Sequence, residues 1–277
     1  MRSIRPRAAQ ALALVAVLLV GSCTSVQTTK PGVIGVDREQ RMSVLVSEEE
    51  LAAGAASAYA KVLTAAKQEG NLNSDPRQVA RIRRIAQQII PEVDAFRPEA
   101  ERWNWEVNLI ESDQLNAWVM PGGKIAFYSG IIEKLNLTDP EIAAIMGHEI
   151  AHALREHARE RASEQQLANA ASLAIGIGGS LLGVGDWSQA AQIAYGTTFG
   201  LKHSREHEIE ADRIGVELSA RAGYDPRAAI SVWQKMSKLT GGKSGPEWLS
   251  THPSNESRIE DLKVYSQKVM PLYRSAS

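Results

Sequence analysis

From Ile142 to Leu154 the chain is apolar in almost every direction a helix can face. Ile142, Ala143, Ala144, Ile145, Met146, Gly147, Ile150, Ala151, Ala153 and Leu154 leave only His148, Glu149 and His152 polar. A helix that is hydrophobic all round is buried on most sides. Its start is also written out. Thr138 as N-cap and Glu141 three residues on make a capping box, and Pro140 in the first turn gives up no helical hydrogen bond.

Other periodic stretches surround this helix. Ser47 with Glu48, Glu49 and Glu50 opens a helix that runs through an alanine-rich segment to about Gln68. Asp75-Pro76 starts another, in which Val79, Ile82, Ile85, Ala86, Ile89 and Ile90 recur at helical spacing before Pro91. A second long helix follows Ser204, with Ile209, Ala211, Gly215, Val216 and Leu218 as its apolar flank. Asp225-Pro226 begins a helix through Leu239, and Pro253 one to about Val269. Trp105 to Ile110 alternates like a strand, and Ala117 to Met120 and Lys124 to Tyr128 flank Pro121-Gly122-Gly123 as two more. The predicted class is α+β: mostly helical, with a small antiparallel sheet beside the central helix. Leu167 to Gly185 is uncharged, but Asn169, Ser172, Ser180 and five glycines make it poor as a membrane span; a mobile helix and loop over the site fits better.

The polar residues of the central helix spell H-E-x-x-H. His148 and His152 lie one turn apart on one face, where two imidazoles can converge on one Zn²⁺. Glu149 points about 100° round the helix, within reach of a water at the site but not as a ligand, which is the place of a general base. Catalytic zinc takes three protein ligands and leaves one position open. The metzincin spacing fails, because it needs Gly at 155 and His at 158 where the chain has Arg155 and Ala158. His157 lies nine residues past His148, half a revolution out of phase, and reads as a polar-face histidine. Glu208 on the second long helix is the better third ligand. Asp212, one turn on, can accept the free N–H of a ligating histidine. Glu206 and Glu210 fall on the opposite side and read as a solvated face. His203 with His207 is the rival pair, but no base-bearing motif accompanies it.

H-E-x-x-H, then Ser-Arg-x-x-Glu-x-x-x-Asp-Arg some 55 residues later, then Ser250-Thr251-His252-Pro253-Ser254 with Arg258, together with Asn116-Ala-Trp-Val-Met-Pro-Gly-Gly-Lys-Ile125, resembles the periplasmic zinc metallopeptidases of the BepA and LoiP type. These gluzincins are relatives of HtpX and the prenyl-protein endopeptidases. The resemblance runs from about Gly35 to about Arg258. It implies a zincin-like fold, one Zn²⁺ per chain on His148, His152 and Glu208, Glu149 as base and Asp212 behind the ligands. It also implies misfolded or unassembled envelope proteins as substrates and envelope assembly machinery as a partner. The C-terminal helical-repeat domain of some relatives is not expected within the 277 residues. His252, followed by Pro253, belongs to a loop. It is a catalytic candidate in one of two ways: as a donor to the oxyanion, alongside Arg258 or Tyr195, or as a plug in the fourth metal position.

The N-terminus adds a location. Arg2, Arg5 and Arg7 precede an apolar run from Ala8 to Val20, and Val20-Gly-Ser-Cys23 ends it like a lipobox, so residues 1–22 read as a signal peptide and Cys23 as the lipidated residue. Cys23 is the only cysteine, so no internal disulfide competes for it. Residues 23–35 then serve as a tether and residues 36–277 as a single metallopeptidase domain. Without residues 1–22 the 31 basic side chains lose three arginines, leaving 28 against 32 acids, a balance of −4 that argues against nucleic acid. The expected protein is a zinc endopeptidase of polypeptides, lipid-anchored in the periplasm, at the outer rather than the inner membrane. The alternatives are a chaperone-like envelope binding protein that seldom cleaves and a metal-dependent amidase.

Overall fold

The computed structural model describes residues 23–174, 203–240, 251–252 and 256–276. Helix α1 spans Glu48–Gln68, α2 Pro76–Ile89, α3 Ser129–Lys134, α4 Asp139–Leu154 and α5 His157–Ala174. Helix α6 spans Arg205–Arg221, α7 Ala228–Thr240 and α8 Glu256–Ala276. Helix α4 is the axis, buried at every position from Glu141 to Leu154. Both bonds of the predicted capping box form, with the Thr138 N–H donating to Glu141 Oε2 at 2.7 Å. Ser231 and Lys235 of α7 hold the same carboxylate, which ties the start of α4 to its neighbour.

Helix α6 crosses α4 at two glycines. A Cβ at Gly147 would sit 2.7 Å from the Gly215 carbonyl oxygen, and one at Gly215 would sit 2.6 Å from the His148 nitrogen. Only the absence of side chains lets the two backbones touch. That contact brings the H-E-x-x-H face of α4 against the Glu208 face of α6.

Strands β3 (Glu106–Ile110), β4 (Ala117–Met120) and β5 (Lys124–Tyr128) form a three-stranded sheet in the order β3-β5-β4. The predicted hairpin of β4 and β5 is antiparallel, while β3 lies parallel to β5 on its far side. Strand β4 is buried throughout and splits its side chains by the period of two. Ala117 and Val119 join the main core that includes α4, and Trp118 and Met120 join a second cluster under α1 with Leu51, Ala55 and Tyr59. The other edge of β4 is unpaired among the described residues.

Residues 23–35, expected as a tether, are packed on the domain in this structure. Strand β1 (Cys23–Val26) pairs antiparallel with β2 (Gln40–Ser43), Thr29 and Ile34 are buried, and the Ile34 N–H donates to Glu217 Oε2 of α6 at 2.9 Å. The stretch shows no period because single residues, not a repeating face, dock it. No helix of the described residues is long and apolar enough to cross a membrane. The leader-like residues 1–22, residues 175–185 of the stretch expected over the site, Tyr195, Pro253 and Ser254 lie outside the described residues.

Candidate metal centre

Helix α4 presents His148 and His152 together, their Nε2 atoms 3.1 Å apart. Helix α6 brings Glu208, whose Oε2 is 3.7 Å from His148 Nε2 and whose Oε1 is 3.5 Å from His152 Nε2. His252 completes the group, with Nδ1 at 2.9 Å from Glu208 Oε1 and 3.2 Å from His148 Nε2. All four side chains are buried, and their donor atoms lie within 4.8 Å of one another.

This group fits a metal ion. Donors on a tetrahedral zinc, with bonds of about 2.0–2.1 Å, stand about 3.3 Å apart, and the separations here scatter on both sides of that value. Two imidazole nitrogens at 3.1 Å hold at most one proton between them, and the Glu208 carboxylate is buried beside them. Facing lone pairs are costly in a dry interior unless a cation takes them up.

Behind the four donors the charges are fixed. Asp212 Oδ1 lies 3.0 Å from His148 Nδ1, on the side of the ring away from the cluster. Arg258, buried against the face of Trp233, reaches both carboxylates: Nε to Asp212 Oδ2 at 2.7 Å and NH1 to Glu208 Oε2 at 2.5 Å. Burial opposes the charge on Asp212, but Arg258 and His148 outweigh it and hold the carboxyl down at about 2. Burial likewise opposes charge on Glu208, and His252 and Arg258 overcome it. His148 is pushed up because Asp212, Glu208 and Glu149 prevail over its burial, whereas His152, buried among His203, His148 and His157, is pushed well down.

Peptidase family M48 matches residues 76–266, a span that holds all six histidines, Glu149, Glu208 and Asp212. The chain belongs to peptidase family M48. Over 176 residues it is 38% identical to the mitochondrial metalloendopeptidase OMA1 of Bos taurus, across 60% of this chain and 33% of that protein. The mitochondrial metalloendopeptidase OMA1 of Saccharomyces cerevisiae is 30% identical over 179 residues, 62% of this chain and 50% of its own. The β-barrel assembly-enhancing protease of Escherichia coli K12 is 31% identical over 176 residues, 61% and 36%. The chain thus spans between a third and a half of the length of these relatives.

In this M48 chain the readings of His157, Glu210 and Arg258 need correction, and His203 and His207 take a place that the sequence did not give them. His157 does not face away: it is fully buried, and its Nδ1 is 2.8 Å from Nδ1 of His152. The phase argument fails because α4 ends at Leu154 and the chain turns at Glu156, whose φ is +50°, so His157 opens a new helix. Glu210 is not on a solvated face either. It is buried between Arg155, Arg38 and His157, since the α4–α5 turn and the N-terminal segment cover that side of α6. Glu206 alone is exposed as expected. His203 and His207, read as a rival ligand pair, join the same cluster. His203 packs on His152 and His252, and His207 stacks on His157 with its Nε2 2.9 Å from Glu160. All six histidines of the chain are therefore in one cluster; that none occurs before residue 148 was the available signal. Arg258, a candidate beside the oxyanion, instead sits behind the donors on Glu208 and Asp212.

A cleft opens over Glu149, His152 and His252, walled by Trp103, Asn116, Ala117, Trp118 and Val119. Glu149 Oε1 is 3.5 Å from His252 Nε2. The edge of β4 that is unpaired among the described residues thus runs beside the face of α4 that carries His148 and His152.

Proposed function

We propose that this M48 chain is a zinc-dependent endopeptidase. The observation that carries the reading is the convergence of His148, His152 and Glu208 beside a cleft walled by β4, the edge strand of the sheet among the described residues. Zinc, when bound, lowers the pKa of water from 15.7 to about 7 and polarises a carbonyl. His148, His152 and Glu208 are its ligands, and Asp212 takes the N–H of His148 and so keeps the Nε2 lone pair turned inward. Glu149, one residue along α4, takes the proton of the attacking water and delivers it to the leaving amine. Strand β4 lies at the edge of the sheet among the described residues, where an extended peptide could add as a further strand, which favours polypeptides over small amides.

His252 is the restraint. Its Nδ1 lies with the donor atoms of His148 and Glu208, and as a fourth protein donor it would close the site to water. Turnover requires His252 to swing out. The competing role is an oxyanion donor that acts from the cleft.

Substrates on this reading are misfolded or unassembled envelope proteins, met by a protein anchored through lipid on Cys23 on the periplasmic side of the outer membrane. Supports are the leader-like residues 1–22, Cys23 directly after them, and the likeness to a protease named for enhancing β-barrel assembly. Packing of residues 27–35 on the domain leaves little slack, so the domain would sit close to the lipid surface.

Casein digestion by the purified chain, with and without a chelator, tests the function. Cleavage that stops with the chelator and returns with zinc is expected. Glu149→Gln is expected to retain zinc and lose at least about 100-fold of the rate. Retention of unfolded protein without cleavage by the wild type would instead favour a chaperone-like binder. Near-normal cleavage by Glu149→Gln would remove the proposed base.

A further inference from the structure

We propose that His157 and Glu210 form a positioning relay for His152, which fixes its tautomer and aims its Nε2 at the metal position. This rests on the reading of His152 as a metal ligand. The relay is read from two contacts. His157 Nδ1 is 2.8 Å from His152 Nδ1, and His157 Nε2 is 3.0 Å from Glu210 Oε2.

With one hydrogen on each imidazole, a single arrangement of protons satisfies both contacts. The Glu210 carboxylate can only accept, so the hydrogen of His157 must be on Nε2. That leaves Nδ1 of His157 as an acceptor, and the Nδ1 of His152 must then carry its ring's hydrogen. Nε2 of His152 is left bare, with its lone pair facing Glu208 and His148. The reverse order would set the lone pair of His157 Nε2 against a carboxylate at 3.0 Å. It would also place the hydrogen of His152 on the atom that has to bind the metal.

The far end of the relay is pinned. Arg155, fully buried, donates to Glu210 through Nε at 3.0 Å and NH2 at 3.2 Å, and Arg38 donates to it through Nε at 2.6 Å and NH2 at 3.1 Å. Two guanidiniums hold the Glu210 oxygens in place. His148 and His152 are thereby served by two carboxylates of one helix, Asp212 directly and Glu210 through an intervening imidazole. Arg38 belongs to the segment that leads into β2, so the docking of residues 36–43 is coupled to the orientation of His152.

The same residues can be viewed as a second metal site, since His157, Glu160 and His207 form a buried group. Arg38 argues against it. Its NH1 and NH2 each sit 2.8 Å from one oxygen of Glu160, so both oxygens are already taken by a cation.

The test uses the full chain and measures zinc affinity by competition with a chelator, and the visible spectrum after cobalt substitution. His157→Phe removes the acceptor for His152, and His157→Asn keeps an acceptor near the place of Nδ1. The expected result is a loss of zinc affinity of about 10–100-fold in His157→Phe, recovered for the most part in His157→Asn, with an altered cobalt spectrum in the first. A residue that only fills space would lower the melting temperature of the metal-free protein and leave affinity and spectrum unchanged, which would overturn the relay. His152→Ala is the control. Its loss of zinc supports the ligand reading, and retention at wild-type affinity would overturn that reading and the relay with it. Ring nitrogen NMR of the zinc-loaded wild type needs no variant. The relay requires His157 protonated at Nε2 and bare at Nδ1, and the opposite tautomer overturns it.

Discussion

Nδ1 of His252 lies 2.9 Å from Oε1 of Glu208, and His252 lines the cleft over the cluster. On the proposed reading, a side chain in that place makes the site self-limiting. His252→Ala is therefore expected to keep its zinc and to cleave faster than wild type. For an open form populated at about 1–10%, the rise is about 10–100-fold. Parallel measurement of kcat and zinc content decides. A fall of about 100-fold with zinc retained would make His252 an oxyanion donor instead.

Glu208 and Glu210 are two residues apart on α6 and should fail differently. Glu208→Ala is expected to lose zinc and activity. Glu210→Ala strips the fully buried Arg155 of its carboxylate and should cost about 3–5 kcal/mol of stability, the usual penalty for leaving a buried charge unpaired. Thermal unfolding with zinc analysis separates them, and a Glu210→Ala protein as stable as wild type would contradict the buried network.

The acid sensitivity of the fold should carry the mark of Glu160. Burial alone would raise its pKa, but hydrogen bonds from Arg38 and His207 push it far below the usual range. A carboxylate with a depressed folded pKa stabilises fully above its unfolded value near 4.5 and loses that contribution as pH falls toward the folded value. Below pH 4.5, Glu160→Gln should therefore show a slope of unfolding free energy against pH smaller than wild type by up to about 1.4 kcal/mol per unit. Denaturant titrations at several acidic pH values measure it, and identical slopes would refute the ion pair.

Cys23→Ser is expected to move the chain from the membrane fraction to the soluble one and to leave casein cleavage in vitro unchanged. Recovery of the variant in the membrane fraction would refute the lipid anchor.

Much of this arrangement was legible in the sequence because it is periodic or local. The capping box at Thr138, the apolar wrap of α4, and the spacing of Glu208 and Asp212 each follow from helix geometry, and each element is found where expected. What could not be read depends on where a helix stops. The turn at Arg155 and Glu156 resets the phase, so helical arithmetic sent His157 outward when it points to His152. Glu210 was misread for a related reason: the face opposite a ligand is solvated only when nothing else folds over it, and here Arg38 comes from 172 residues away in sequence. Residues 27–35 carry no pattern because their docking is made of single contacts such as Ile34 to Glu217.

The missing side chains at Gly147 and Gly215 turn the pair of helices into a calliper. An added Cβ would stand 2.6–2.7 Å from the opposing backbone where ordinary contact begins at 3.4 Å, so the jaws would have to open by about 0.7–0.8 Å. Metal–donor distances tolerate about 0.2 Å. His148 rides on one jaw and Glu208 on the other, and a cation cannot stretch to follow them. Gly215→Ala is therefore expected to release zinc at temperatures where circular dichroism still reports a folded helical protein, and simultaneous loss of both would argue against it. The gauge for the ion is thus cut by two residues that never touch it.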